Sequence, residues 1–430
     1  MNKEWRELFS SWAWWIFLLM TGPLVGVSFI SAVHTYGEAS GLNGTSAGVG
    51  EAFSPLVGIL APTFSACELA AAFLLPFVVI RQLAGDRQSG AMKIELQHPM
   101  SPLTRIATKA LVLLAGWLVA SFAPIATVLL WKSYGGSVYL PELATVAFGH
   151  LLNAGLMIAL AAVAASVTEH PSTAAILALT ITVGSWILNF LAAVHGGFLE
   201  RAAGYTPTAI VGEFQHGLIR LNVVLIALTL TLAGLALAAV WTRLGISVRR
   251  RAGESIALGA STAAIVFACT FATASWDMSE NRMNSFPKGD EQLLRQIRAP
   301  LHIEVHLAPE DPRRSDLDHR ALSKLRRLNL NLHIDYVSST SIGLFEQTSP
   351  HYGEIWYELE GHKAVNRITT PEGVLETIYS LAGIAPPPND DTAFRGHPLA
   401  VSPRGAAPIF YLIWPTLVAA IAVWILRRQE

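Results

Sequence analysis

Charge is what this sequence has least of. Asp, Glu, Lys and Arg make up 14% of its 430 residues, where a soluble domain carries about a quarter. The formal net charge is -1, so there is no basic excess of the kind that neutralises phosphates, and nucleic acid is excluded as an expected partner. Cysteine is almost missing: Cys67 and Cys269 both sit inside apolar runs, which supports neither a disulfide framework nor a thiolate metal site and reads as two small core hydrophobes. No stretch reads GxxxxGK[ST], so the chain has no recognisable loop to cradle a nucleotide's phosphates. CxxC is absent too, which removes the usual signature of a dithiol redox centre, and residues 277–407 hold no GxSxG of the kind that marks an acyl-transfer nucleophile.

What is present is long apolar runs, with 52% hydrophobic residues and a mean hydropathy of +0.43. A bilayer core of about 30 Å takes about 20 apolar residues as a helix. Eight segments qualify: Ala13 to Val33, Leu56 to Ile80, Ala110 to Trp131, Leu143 to Val167, Ser172 to Val194, Leu221 to Trp241, Ile256 to Trp276 and Pro408 to Leu426. Lys3 and Arg6 precede the first, as in a signal peptide, but its run is too long for a cleaved one and is expected to stay as an anchor.

Lysine and arginine flank alternate ends of these segments. One side collects Lys3, Arg6, Arg81, Arg87, Lys93, Arg105, Lys109, Arg243, Arg249 to Arg251, Arg427 and Arg428; the other has Lys132, Arg201 and Arg220 in its short loops. Positive residues stay inside. Both termini are therefore expected in the cytoplasm of a multi-pass inner-membrane protein, and residues 277–407 in the periplasm.

That outer stretch is not lipid-like. Leu301 to Ala308 and the run from Leu332 alternate as half-buried strands, Asp316 to Leu328 has helical spacing, Glu360-Gly361 marks a hairpin, and Pro371 starts a helix to about Leu381. The expected fold class is a mainly α polytopic membrane protein, a six-helix block with two further spans flanking a small α/β domain of thioredoxin-like or flavodoxin-like type. The expected boundaries are 1–251 for the block, 252–276 for the seventh span, 277–385 for the outer domain, 386–407 for a Pro-rich linker and 408–430 for the last span and tail.

Three residue groups stand out. The loop RQLAGDRQSGAMKIELQHPMSPLTRIATK carries Asp86, Arg87, Ser89 and Gly90, an amphipathic turn with Met92 and Glu95, then Pro99, Ser101 and Lys109. It reads either as a force-transmitting helix across the membrane face or as a basic loop held to anionic lipid. Glu68 lies mid-membrane, where a charge is costly unless paired, protonated or wetted; a hydrogen bond to His150 or Asn153 is the structural explanation, and substrate or proton handling the functional one. His302, Glu304 and His306, with His333 and Asp335 on the next strand, have metal-binding chemistry, but a solvated strand face is the expected reading and no metal is assigned.

The loop from Asp86 to Lys109 resembles the segment after the second helix of ABC type-2 transporter permeases, through Asp86-Arg87, Ser89-Gly90, Pro99 to Ser101 and Lys109, although the usual acidic residue before Ser-Gly is displaced to Asp86. YTPTAIVGEFQHGLIRLN resembles the segment before that family's sixth helix through Thr206, Pro207, Phe214, Gly217 and Ile219. The likeness covers about 1–251. WDMSENRMNSF is similar to the start of the auxiliary domain of gliding-motility-type ABC systems, through Asp277, Ser279 to Arg282, Ser285 and Phe286. The resemblance implies a permease without enzymatic activity of its own, an exporter or force transmitter. It implies a cytosolic ABC ATPase holding ATP and Mg, a second permease copy or related permease as dimer partner, and no cofactor on this chain. A membrane-anchored envelope-binding protein that needs no ATPase is the alternative, with an envelope protein as its partner.

In a variant with Cys67 and Cys269 replaced by Ala, Glu310→Cys is expected to react with a membrane-impermeant maleimide in intact spheroplasts, and Arg249→Cys only after permeabilisation. The reverse pattern would invert the topology.

Overall fold

Backbone amides in hydrocarbon have no water to bond, so apolar runs of this length close their hydrogen bonds within helices. The computed structural model describes residues 2–42, 54–88, 100–195, 197–243, 245–328, 330–337, 351–387, 394 and 396–428. Helix dominates, and among the described residues eight helices are long and apolar enough to cross a membrane: Trp12–Gly41, Leu56–Gly85, Pro102–Ser133, Leu140–Val167, Pro171–Ala192, Leu221–Trp241, Val248–Cys269 and Ala406–Arg427. This is the architecture of a polytopic membrane protein.

Only the sixth span has the bounds that hydropathy alone gives it. The first continues through His34, Tyr36 and Glu38 to Leu42, because polar residues at a span's end are tolerated by a helix that has left the hydrocarbon. The third begins at Pro102 and is broken at Ser121, where one helix ends at Ala120 and the next starts at Phe122. Pro124 has no N–H to bond back, and Ser121 Oγ donates to the Trp117 carbonyl at 3.0 Å.

The seventh span is the largest correction. It runs Val248–Cys269, not Ile256 to Trp276, so Arg249, Arg250 and Arg251 lie on its first turn instead of in a loop before it. Glu254 gathers this basic end, accepting from Arg243 at 2.8 Å and Arg250 at 3.2 Å. At the other end Trp276 belongs to a strand. A short ribbon forms there from β1 (Leu218–Arg220) and β2 (Ser275–Asp277), antiparallel, with Ile219 opposite Trp276. It joins the ends of the sixth and seventh spans; Gly217, at φ 74°, makes the turn into it, and its carbonyl accepts from Met278 N at 2.8 Å.

The chain divides into two compact units. The first comprises Met1–Trp186, Pro207–Met278 and Phe394–Glu430. Its centre is the fourth span, 67% buried within the chain against 6% for the seventh, which therefore lies at the periphery. Small residues let helices approach here: Ala154, Ala159, Ala161, Ala162, Ala164 and Ala165 are all buried. The last span docks on the first at Gly22 and Gly26, where a Cβ would stand 2.1 Å from the Trp414 ring and 2.4 Å from Phe410 Cβ. Trp414 Nε1 donates to the Leu18 carbonyl at 2.9 Å, and further along Tyr36 Oη donates to the His397 carbonyl at 2.8 Å.

The second unit comprises Ile187–Thr206 and Ser279–Ala393. It contains a four-stranded sheet of β3 (Leu301–Val305), β4 (Leu332–Tyr336), β5 (Ile355–Leu359) and β6 (His362–Asn366), in the order β4-β3-β5-β6. β3 and β4 are parallel, whereas β3–β5 and β5–β6 are antiparallel. Glu360 and Gly361, at φ 52° and 84°, form the tight hairpin turn expected of them. The helical stretch expected from Asp316 begins earlier, at Pro312, with Asp311 accepting from Arg313 N as its cap. Leu301, Ile303, Val305, Ile355, Tyr357 and Leu359 share one core with Leu317, Leu322, Leu325, Val374 and Ile378 from the helices. The alternate residues of each strand turn away from that core.

Gly26→Leu is expected to overpack the contact with Phe410 and lower stability by about 1–3 kcal/mol, read as a lower melting temperature in detergent. Gly41→Leu, which meets no atom within 4 Å, should leave it unchanged.

Candidate functional site

The loop singled out by its sequence starts on a helix. Asp86 and Arg87 fall in the last turn of the helix Ala61–Gln88; Ser89, Gly90, Met92, Glu95 and Pro99 lie outside the described residues. The chain resumes at an N-cap, with Ser101 Oγ accepting from Thr104 N at 3.0 Å and Pro102 at the first helical position.

Lys109, two turns further on, lies away from water, its side chain 3% exposed. It pairs with Glu4 Oε2 at 2.7 Å and Glu7 Oε2 at 3.5 Å on the short amphipathic helix Asn2–Ser10. Gln82, one turn before the loop, donates to the Glu4 carbonyl at 3.2 Å and to Glu4 Oε2 at 3.5 Å. Helices on both sides of the loop are thus fastened to the same N-terminal carboxylate. A charge withdrawn from water this far persists only when paired and hydrogen-bonded, so the arrangement is held by the cost of breaking it. Sequence reading misses Glu4, Glu7 and Gln82 as partners. The only signal was two carboxylates on one face of an amphipathic turn, with nothing to say that their cation lies about a hundred positions away.

Within the membrane block the polar residues group differently from expectation. Glu68 bonds to neither His150 nor Asn153, and among the described residues it has no hydrogen-bond or ion-pair partner. His150, 3% exposed, is placed against Gln215 Nε2 at 3.4 Å, and Gln215 donates to Ser65 Oγ at 2.9 Å. Phe64 packs beside the imidazole, with ring centroids 5.5 Å apart. Asn153 is buried with its Oδ1 unsatisfied. Gln215 is the member not singled out in sequence; it lies in the segment before the sixth span, and only the packing of Pro207–Gln215 against the fourth span puts it next to His150.

The polar face of the four-stranded sheet sorts its histidines into two groups. Parallel register places His302 beside His333 and Glu304 beside Asp335. His302 Nε2 lies 2.9 Å and His333 Nε2 3.5 Å from the same Asp335 Oδ2, and the two imidazoles stack with centroids 5.3 Å apart. The His302 hydrogen bond, then the two imidazole charges, hold Asp335 below the usual carboxylate range. The ligand-capable atoms of these three residues all lie within 4.8 Å of one another. His306 is not part of this group. The strand ends at Val305, and His306 is buried with its Nε2 3.2 Å from Glu304 Oε1, its ring near Trp356 and His351. Beside it Glu354 is held at about 2, chiefly by the Trp356 indole N–H and then by Arg367. No protein family, curated protein or solved structure matches this chain.

Lys109→Met is expected to strand Glu4 without its cation and to cost about 3–5 kcal/mol, measured by thermal unfolding in detergent. Lys109→Met combined with Glu4→Gln should recover most of that loss; an additive double variant would mean the pair is not coupled.

Proposed function

We propose that this chain is the membrane-spanning permease subunit of an ATP-binding cassette transporter, with residues 1–251 as an ABC type-2 block, driven by a separate cytosolic ATPase that carries the ATP and Mg. The observation that carries the reading is the clamp at Glu4, which ties together the helices that flank residues 89–99 in the chain. Gln82 before residues 89–99 and Lys109 after them both bond to Glu4, so force on either flanking helix has a direct path to the N-terminal helix. A motor beneath the membrane requires such a connection, because rigid-body rocking of helices is how a local contact becomes a change of access across the bilayer. The resemblance of that loop and of Thr206 to Ile219 to the permease family, and the crowding of Arg81, Arg87, Lys93, Arg105 and Lys109 into one stretch of sequence, support the same conclusion.

Enclosing a path takes two six-helix blocks, so the chain pairs with a second copy or a related permease. The spans carry no row of charges, which suits an apolar or large amphipathic cargo, and the working direction is export or outward transmission of force. The strand order of the periplasmic domain, with its parallel first pair and two antiparallel partners, supports a thioredoxin-like over an all-parallel flavodoxin-like fold. The open polar face of that sheet favours a second reading, in which the domain binds an envelope protein and the helices anchor it.

The tagged chain, purified in mild detergent, is expected to bring down a P-loop ATPase identified by mass spectrometry, with recovery reduced at least severalfold by Asp86→Ala plus Arg87→Ala. Recovery of envelope proteins alone across several detergents would replace the transporter reading with the anchor.

A further inference from the structure

We infer that the outer sheet carries a divalent transition-metal site, formed by His302, His333 and Asp335, of the kind that takes zinc or copper. The inference does not depend on the transporter reading, since the site is complete within one small sheet.

The geometry begins with strand pairing. Neighbouring strands run about 4.8 Å apart, and parallel register sets His302 directly beside His333. Side chains alternate along a strand, so Asp335, two positions after His333, returns to the same face. With metal bonds of about 2.0–2.1 Å, the donor atoms of a tetrahedral site stand about 3.3 Å apart. The two imidazole-to-carboxylate separations here, 2.9 and 3.5 Å, fall on either side of that value. The remaining separation, between the two imidazole nitrogens, is within 4.8 Å, and closing it takes rotation of exposed side chains over a backbone already fixed by the ladder.

The chemistry of the set is specific. Two imidazole nitrogens with one carboxylate oxygen suit zinc, copper, nickel or iron and are too nitrogen-rich for calcium or magnesium. An ion pair alone would need one imidazole; the second ring, stacked on the first and turned to the same carboxylate oxygen, adds little to a solvent-exposed pair and supplies a third donor to a metal. His302, His333 and Asp335 have side chains 37%, 74% and 52% exposed. An ion therefore reaches them from solvent, and at least one coordination position stays open to water or to a donor from another molecule. A metal takes the lone pair of His302 Nε2, so its contact with Asp335 gives way to shared coordination of the ion. Glu304, opposite Asp335 in the register, adds negative charge next to the site while its own carboxylate faces His306.

The test uses the full chain in detergent without a polyhistidine tag. Titration with Zn(II) by calorimetry is expected to show one ion bound per chain, with affinity reduced at least tenfold in His333→Ala and in Asp335→Asn. That is the lower end of what losing even an outer partner of a ligand costs, about 10–100-fold. His362→Ala, an exposed histidine on β6, should bind as the wild type does. Cu(II) on the wild-type chain should give an electron paramagnetic resonance spectrum with nitrogen splitting from two imidazoles, a readout that needs no variant to fold. Absence of saturable binding, binding that survives both variants, or a copper spectrum without two nitrogen donors would each overturn the assignment.

Discussion

A peptide amide in hydrocarbon has nothing to bond but another peptide, and every larger feature of this protein follows from that restriction. It forces the apolar runs into eight helices and drives departures from helix to places where other partners exist. The ribbon of β1 and β2 forms where the sixth span starts and the seventh has ended, each strand supplying the bonds the other's backbone requires. The break at Ser121 is tolerated because a hydroxyl and a carbonyl of the preceding turn remain paired. Polar side chains obey the same rule: Glu254 collects arginines at a helix end, Gln215 joins Ser65 and His150 inside the bundle, and Lys109 is buried only because Glu4 and Glu7 meet it.

With hydrophobicity equal on both sides of a helix–lipid boundary, association inside the bilayer depends on closeness of packing. The fourth span supplies it through alanines, and the first and last spans through Gly22 and Gly26 beneath Trp414 and Phe410. Chain ends about four hundred residues apart are brought together this way. The N-terminal helix gains the same neighbours: Leu8 shares a core with Val418 and Ala422 of the last span. The termini thus belong to the structural frame of the bundle, and the clamp at Glu4 is built on that frame.

The four-stranded sheet illustrates a different economy. The alternating apolar positions of β3 and β5 face one helical layer, so the positions between them are free to carry chemistry. That face holds two histidine groups, separated because β3 ends before His306 and sends it into the packing around Trp356. A two-layer arrangement thereby turns a simple alternation of residues into a surface on which donors from two strands converge.

The amino-acid sequence alone determined that this chain lives in a bilayer, how many times it is fit to cross, and where a polar α/β segment interrupts the crossings, because hydropathy, alternation and turn chemistry are local properties. It also singled out His302, Glu304 and His306, with His333 and Asp335, as residues with a shared chemical character, and the hairpin at Glu360-Gly361. Span ends were less legible: Trp276 is apolar enough to extend a helix, and only the strand at Leu218–Arg220, far back in the chain, claims it for a ribbon. Tertiary structure decided which charges meet. Lys109 reads as a loop residue until Glu4 and Glu7 are packed against it, Glu68 reads as a partner for His150 until Gln215 takes that place, and two histidines on separate strands become neighbours only through a parallel register. The physical reason is the same in each case: burial and pairing depend on distances through space between residues far apart in the chain, and a linear pattern of side chains carries no record of those distances.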